Sequence, residues 1–310
     1  MILTVTPNTA LDQVYEIEHY IPGARIRVDR QAECIGGKGN LASAFAADVG
    51  AKSVSLGFAA GQNGKRLAEL LRARGARPDF SMAKGETRRL IVVVDKRREV
   101  QTWLVAEALE VNRRIERDLE KRVARWLPEA SWLALCGSLP ASCSTQLYYR
   151  LCRQAHRAGV PVLIDARGKP LAQALAAQPE IVRLNKEELE LTLGTQFADL
   201  PTLTLALRRL LAEGIQLAVC SLGAEGAIAV TPAHSWRFVP PQIRQKSSAG
   251  SGDAFTAAIM VWREKGAEWP EAIRWACAAG AAKATEARTD HPLDMKRVRT
   301  LYRRVHVMTL

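Results

Sequence analysis

Arg113-Arg114-Ile115-Glu116-Arg117-Asp118-Leu119-Glu120-Lys121-Arg122-Val123-Ala124-Arg125-Trp126, followed a few residues later by Trp132-Leu133-Ala134-Leu135, sets the pattern for the whole chain. In the first part Ile115, Leu119, Val123 and Trp126 keep helical spacing among acidic and basic neighbours, so a solvated helix with one buried stripe is expected over Arg113–Trp126. The run after it reads as a strand. Short β-branched runs alternating with longer amphipathic segments are the pattern of a mostly parallel sheet covered by helices on both faces.

Outward from that unit the alternation continues to both ends. Strands are predicted at Ile2–Thr6, Ser53–Gly57, Val160–Asp165, Ile181–Arg183, Leu217–Ser221 and Ala227–Thr231. Helices are predicted at Leu41–Val49, Gly64–Arg74, Thr145–Ala158, Lys186–Leu193, Leu203–Glu213, Ala254–Lys265, Glu271–Glu286 and Asp294–Val305. Two stretches break the rhythm, Asp12–Cys34 and Thr87–Val105, the second with β-rich runs flanking a charged turn at Asp95-Lys96-Arg97-Arg98-Glu99. Strands joined in this way do not belong to a parallel βαβ core, so they are expected as a small antiparallel sheet over the main domain, either a lid or a decorative hairpin. No repeat, low-complexity tract or linker divides residues 1–310, and one α/β domain is expected.

Composition narrows the partners. With 310 residues, 48% of them hydrophobic, the chain can bury a large core. The net charge of +12 suits an anion, either nucleic acid or a phosphorylated small molecule. Aromatic residues are only 6% and no nucleic-acid motif is present, which favours the small molecule. The first residues carry no export signal, and apolar runs such as Ala254–Trp262 are too short to cross a bilayer, so a cytoplasmic protein without membrane contact is expected. Cys34, Cys136, Cys143, Cys152, Cys220 and Cys277 have no metal or redox spacing and read as reduced, buried thiols.

Three short motifs can carry chemistry. Ser247-Ser248-Ala249-Gly250-Ser251-Gly252-Asp253 leads directly into the apolar helix. Small residues permit close approach of a ligand, and a helix start aims free amides at it, which suits phosphate. Asp253 there is either a general base or simply a helix cap. Gly36-Gly37-Lys38-Gly39-Asn40 offers a tight turn and a mobile positive charge, or only a loop with a solvated lysine. Asn185-Lys186-Glu187-Glu188 places an amide and a carboxylate on one helical face, either to order magnesium through water or as a capping box. The stretch Gly57–Lys65 is no P-loop: its glycine spacing is too long and Arg66 stands where a hydroxyl would bind magnesium.

Taken in chain order as a double-glycine lysine loop, an Asn-x-x-Glu element and a Gly-x-Gly-Asp helix start, the three motifs resemble those of the ribokinase-like (PfkB) carbohydrate kinases over nearly the full length. The opening Thr6-Pro7-Asn8-Thr9-Ala10-Leu11-Asp12, with Gly137-Ser138-Leu139-Pro140 and Ser221-Leu222-Gly223-Ala224-Glu225-Gly226-Ala227, is similar to the branch holding 1-phosphofructokinase and tagatose-6-phosphate kinase. The resemblance implies a three-layer α/β/α sandwich with a small β lid, ATP and Mg2+ as cofactors, a sugar phosphate as acceptor, and a homodimer paired through the lid. It implies that Asp12 meets sugar hydroxyls with Asn8 shaping the same turn of the acceptor site, that Lys38 and Arg88, helped by Arg27, hold the acceptor's phosphate, and that Gly37, Asn40 and Ser138 complete that side. Asn185, Ser221, Gly223, Gly226 and Ser251 would meet the nucleotide, Glu188 the water-bridged magnesium, and Gly250 and Gly252 would form the anion hole for Asp253. An aspartate of ordinary pKa would suffice as base. The alternatives are a kinase of an unphosphorylated sugar or nucleoside, or a basic protein that binds without turnover. Leu41, Leu90, Trp103 and Asp165-Ala166-Arg167-Gly168 depart from the family pattern, all of them on the expected acceptor side.

Overall fold

The structure, a computed structural model, describes residues 1–106, 109–211 and 214–310. Its strands in chain order are β1 (Ile2–Thr6), β2 (Ala10–Ile17), β3 (Arg30–Gly36), β4 (Ser53–Ala59), β5 (Arg77–Met82), β6 (Lys84–Gly85), β7 (Arg88–Asp95), β8 (Val100–Val105), β9 (Leu109–Glu110), β10 (Trp132–Cys136), β11 (Val162–Asp165), β12 (Ile181–Asn185), β13 (Leu217–Ser221), β14 (Ala227–Val230), β15 (Ser235–Val239) and β16 (His306–Thr309). The helices are α1 (Lys38–Asp48), α2 (Gly61–Ala73), α3 (Arg113–Trp126), α4 (Leu147–Arg157), α5 (Gly168–Leu175), α6 (Lys186–Leu193), α7 (Leu200–Leu211), α8 (Ser251–Glu264), α9 (Trp269–Ala284) and α10 (Met295–Tyr302).

Ten strands form one sheet in the order β16-β15-β14-β13-β12-β11-β10-β1-β4-β5. Pairing is parallel from β5 to β13 and antiparallel beyond. Successive side chains point to opposite faces, and both faces are buried, so β1 serves two cores at once. Ile2 packs in the core that holds Phe45 of α1 and Ile259 of α8, while Leu3 and Val5 pack in the core that holds Leu119 and Val123 of α3. Leu119, Val123 and Trp126 of the stripe predicted for α3 are buried, whereas in the first turn Ile115 is only half-buried and Glu116 is the enclosed residue; Asn112 caps that helix by accepting from the Arg114 and Ile115 amides at 3.1 Å. Residues 212 and 213, the expected end of the Leu203–Glu213 helix, lie outside the described residues.

The two intrusive stretches do form a separate sheet, β3-β2-β7-β8, with one correction. Each hairpin is antiparallel within itself, but the pair that joins them, β2 with β7, is parallel, from Ala10 opposite Arg88 to Ile17 opposite Asp95. Both strands leave the main domain in the same direction, so only a parallel pairing brings them side by side. Asp95 fastens the far ends: one carboxylate oxygen accepts from the Arg98 amide at 2.9 Å, the other from the Tyr20 amide at 2.9 Å.

Strands β5, β15 and β16 and helix α5 were not expected. Strand β5 carries Pro78 and Asp79 and sits at one edge of the large sheet, where a missing ladder donor is tolerated. The exposed β16 occupies the other edge. All six cysteines are buried and unpaired, and among the described residues no helix is long and apolar enough to cross a membrane.

Candidate active site

Parallel strands present their carboxyl ends on one side of the sheet, and there the chemistry collects. Asp165 ends β11, Asn185 ends β12, Ser221 ends β13, and Ser138 follows β10. A cavity of about 590 Å3 opens at these ends, within the range of small-molecule sites. Lys38, Asn185, Glu188, Ser221, Gly223, Gly226, Gly250, Ser251, Gly252 and Asp253 all line it, so the lysine of the early glycine loop and the late helix start border one cavity.

Lys38 is not a mobile charge. Its Nζ donates to Asp165 Oδ1 and to Glu188 Oε1, each at 2.7 Å. Burial works against the ammonium, but the two carboxylates outweigh it and hold its pKa above the ordinary lysine value. Asp165 is fully enclosed; its second oxygen accepts from Arg183 at 3.0 Å and from Thr256 Oγ1 at 3.0 Å. Lys38 and Arg183 overcome the burial penalty and keep the carboxyl below its usual range. Arg183 also donates to Ser221 Oγ at 2.8 Å. The capping box is present as well: Asn185 Oδ1 accepts from the Glu188 amide at 2.7 Å, and Glu188 Oε2 from the Asn185 amide at 3.1 Å. Capping and site-building are therefore one arrangement, because the cap aims the other Glu188 oxygen at Lys38.

Helix α8 begins against this network. Gly250 takes the left-handed conformation, φ 79°, ahead of the first turn. A Cβ on Gly252 would lie 2.8 Å from the Arg183 guanidinium, so glycine is what lets the helix start sit on that charge. The geometry leaves amides at the helix end without internal acceptors, and the buried Ser251 hydroxyl has no partner among the described residues. Asp253, in the first turn, is pushed up to about 7 by burial and by Asp165, against the pull of Lys38 and Arg183. It thus differs from the ordinary aspartate expected from the sequence, and its pKa matches what a general base near neutral pH needs.

The residues read as acceptor contacts form a second cluster at the root of the small sheet. Asn8 Nδ2 donates to Ser138 Oγ at 3.3 Å, and Arg88 donates to the Asn8 carbonyl at 3.1 Å. Asp12 on β2 is buried with Oδ1 unpartnered among the described residues. Burial and Asp290 push it up to about 8 against Arg88, and the Asp253 charge contributes to the same shift, which ties the two clusters electrostatically. Gly36 makes room for Asp12, since a Cβ there would lie 2.0 Å from Oδ1. Gly37 turns with φ 90° into α1.

Four readings change. Lys38 lies with Asp165 and Glu188, not with Arg88. Asn40 does not reach either cluster's surface: it is fully buried, donating to the Gly36 carbonyl and accepting from Ser55 Oγ at 2.7 Å, so it holds the glycine loop. Arg27 lies exposed in the loop between β2 and β3, without a hydrogen bond or ion pair to any described residue. Asp165, counted on the acceptor side, belongs to the Lys38 network. Arg183, Thr256 and Lys283 were missed. For Arg183 and Lys283 the available signal was a charge inside an otherwise apolar run, Ile181-Val182-Arg183-Leu184 and Ala281-Ala282-Lys283-Ala284; Thr256 carried none.

Among the described residues no group of three or more His, Cys, Asp or Glu forms a metal cage. A magnesium ion would have to keep waters in its shell here, with Glu188 as the carboxylate that would hold it at the cavity.

Comparison with known proteins identifies the family and the fold. The pattern of the pfkB family carbohydrate kinases matches residues 8–296. The chain is 32% identical over 314 residues to the 1-phosphofructokinase of Rhodobacter capsulatus, covering 100% of this chain and 98% of that one. It is 34% identical over 261 residues to the 1-phosphofructokinase of Xanthomonas campestris pv. campestris, covering 83% and 82%. The crystal structure of phosphofructokinase-2 from Escherichia coli in complex with substrates and products superposes with a TM-score of 0.91 at 25% identity, covering 98% of each chain. A fold of this topology, a cavity lined by all three sequence motifs, and a family match across nearly the whole length lead to one assignment: the chain belongs to the pfkB family of carbohydrate kinases.

Proposed function

We propose that the chain transfers the γ-phosphoryl group of ATP to a hydroxyl of a phosphorylated hexose, with fructose 1-phosphate the first candidate acceptor. The observation that carries this reading is a single cavity: Lys38 and Asp253, more than two hundred residues apart in sequence, line it together with the amide-bearing start of α8. The names of the two curated relatives, both 1-phosphofructokinases, support the acceptor.

Phosphoryl transfer asks for positioning and for charge neutralisation around a loose, in-line transition state. As the acceptor oxygen bonds to the γ-phosphorus, the bond to the β-phosphate oxygen breaks, ADP leaves, and the acceptor's proton passes to the Asp253 carboxylate. The first-turn amides of α8 at Gly252 and Asp253 face the charge that spreads over the transferring group. Lys38 and Arg183 are held in place by Asp165 and Glu188, so the charges beside the transferring group are fixed before it arrives and need no reorganisation. Ser221, Gly223 and Gly226 border the nucleotide, while Asp12, Asn8, Ser138 and Arg88 receive the acceptor, Arg88 facing its existing phosphate. Magnesium, held through water by Glu188, supplies charge neutralisation on the nucleotide when bound.

The protein acts in the cytoplasm, where its nucleotide is, and as a homodimer through the small sheet. In that sheet β8 is an edge strand with Leu104 and Val105 exposed at 55% and 63%, an apolar edge that a second copy would cover. Sedimentation as a monomer at assay concentration would remove the dimer. Steady-state ADP release across fructose 1-phosphate, fructose 6-phosphate, tagatose 6-phosphate, free sugars and nucleosides tests the function. The highest kcat/KM is expected with fructose 1-phosphate; preference for an unphosphorylated acceptor would overturn the assignment, and duplex DNA binding without ADP release would replace it.

A further inference from the structure

Lys283 has no place in the reaction as described, yet it is 1% exposed near the end of α9, inside the run Ala281-Ala282-Lys283-Ala284. Its Nζ has no hydrogen-bond partner among the described residues, and no carboxylate there lies within ion-pair distance of it. A buried ammonium left this way is costly, several kcal/mol in general, so a packing role is a poor account of it: alanine, as at its neighbours, would pack more cheaply.

Its surroundings indicate what the charge is for. The backbone at the end of α9 is stitched to the segment leading into α8, because the Ala284 carbonyl accepts from the Lys246 and Ser247 amides at 2.8 and 3.2 Å. Gly280, one turn earlier, faces the Ser251 carbonyl, where a Cβ would come within 3.2 Å. A Cβ on Gly250 would lie 3.2 Å from Lys283 Cε and 2.6 Å from the Thr289 carbonyl. The glycine turn is thus packed closely against both the lysine stem and the 285–290 segment. The acidic groups whose charges act on the ammonium are Asp290, Glu286 and Asp253, with the Cys34 thiol also near. Burial pushes Lys283 down to about 8, which leaves it charged in most molecules at neutral pH.

We propose that Lys283 is a built-in monovalent cation for the phosphate-binding turn, a positioning residue whose buried ammonium behind Gly250 fixes the turn and adds positive potential to the anion hole without touching either substrate. This rests on the kinase reading above. The turn then needs no small cation from solution, and removing the ammonium leaves a buried space, still under the charges of Asp290, Glu286 and Asp253, that an added cation can fill.

The test has two arms, both on the full chain. In the first, wild-type turnover is measured with potassium and sodium replaced by tetramethylammonium at constant ionic strength; kcat should not change, and a fall that potassium restores would overturn the proposal. In the second, Lys283→Met should lower kcat on the order of 10-fold to 10²-fold, the lower part of the range for losing electrostatic support at an oxyanion site, with both KM values little changed. Potassium or ammonium ions should restore part of that loss in the variant only. A variant with wild-type kcat, or a folded variant whose loss no cation relieves, would overturn it. Should Lys283→Met fail to fold, the wild-type arm decides alone. A chain inert with every acceptor in every cation brings down the kinase reading and this inference together, whereas an active chain that requires added potassium brings down this inference only.

Discussion

Around Lys38, Asp165, Arg183 and Glu188 each charge has an opposite charge or a donor within 3.0 Å or close to it, whereas at the root of the small sheet Asp12 keeps a buried oxygen without a partner among the described residues. The first region hangs on the ends of three parallel strands and a helix cap, so its geometry exists before any ligand arrives. The second is assembled from a turn after β1 and from the first residues of two lid strands, and its unmet hydrogen-bonding capacity is what a ligand would satisfy. The contrast is between a site half that is preorganised and one that is completed on binding, and the costs fall accordingly: desolvation of the first is already met by internal pairs, while desolvation of Asp12 is carried by the folded protein.

The sharpest way to break this comparison is at Asp253. Asp253→Asn removes the proton acceptor but leaves the paired network, so kcat should fall ~10²-fold or more while ADP affinity stays nearly intact. Steady-state turnover with a nucleotide titration checks it, and unchanged turnover would take Asp253 out of the mechanism. Next in size is Arg88→Ala, which should raise the acceptor's KM about 10-fold or more, the usual scale for losing a hydrogen bond to a charged group, and leave the KM for ATP alone. An acceptor KM that does not move would refute the phosphate contact.

The smallest effect is on stability and separates the two regions most cleanly. Asp12 and Asp253 have folded-state pKa values of about 8 and about 7, above the 3.8 of an unperturbed aspartate. The folded chain therefore binds more protons than the unfolded chain between those limits, and these two groups make the ligand-free protein lose stability as pH rises from about 4 to about 8. Asp12→Asn should flatten that slope and stabilise the ligand-free protein at pH 8, on the order of 1–3 kcal/mol, even as it harms acceptor binding. Thermal melts across that pH range read it directly. A destabilised variant at pH 8 would show that Asp12 is already satisfied and that the acceptor side is as preorganised as the other.

What the sequence made legible follows the same division. Asp253, Asn185 and Glu188 could be found because helix starts are local chemistry, written in a few consecutive residues. The layers could be found because strands buried on both faces and amphipathic helices have different periods. Arg183, Asp165 and Lys283 could not be placed, since the partner that explains each comes from a distant segment: Lys38 for Asp165, Ser221 for Arg183, the Gly250 turn for Lys283. Asn40 misled for a related reason, as an asparagine in a glycine loop looks the same whether it faces a ligand or, as here, ties Gly36 to Ser55. The parallel join of β2 to β7 depends on the path of the whole chain between them and has no local mark.

That join has a mechanical consequence. Asp12 sits on β2, Gly36 ends β3 one residue before the Gly37 turn into Lys38, and Arg88 opens β7. The strands of the small sheet are thus continuous with the residues proposed to meet the acceptor, and the pairing of β2 with its two neighbours ties Asp12, Gly36 and Arg88 into one hydrogen-bonded unit. Because these residues sit at the base of that unit, a tilt of its far edge would turn them in place rather than carry them away from Asp253, so their mutual spacing is insulated from whatever covers the exposed edge at β8.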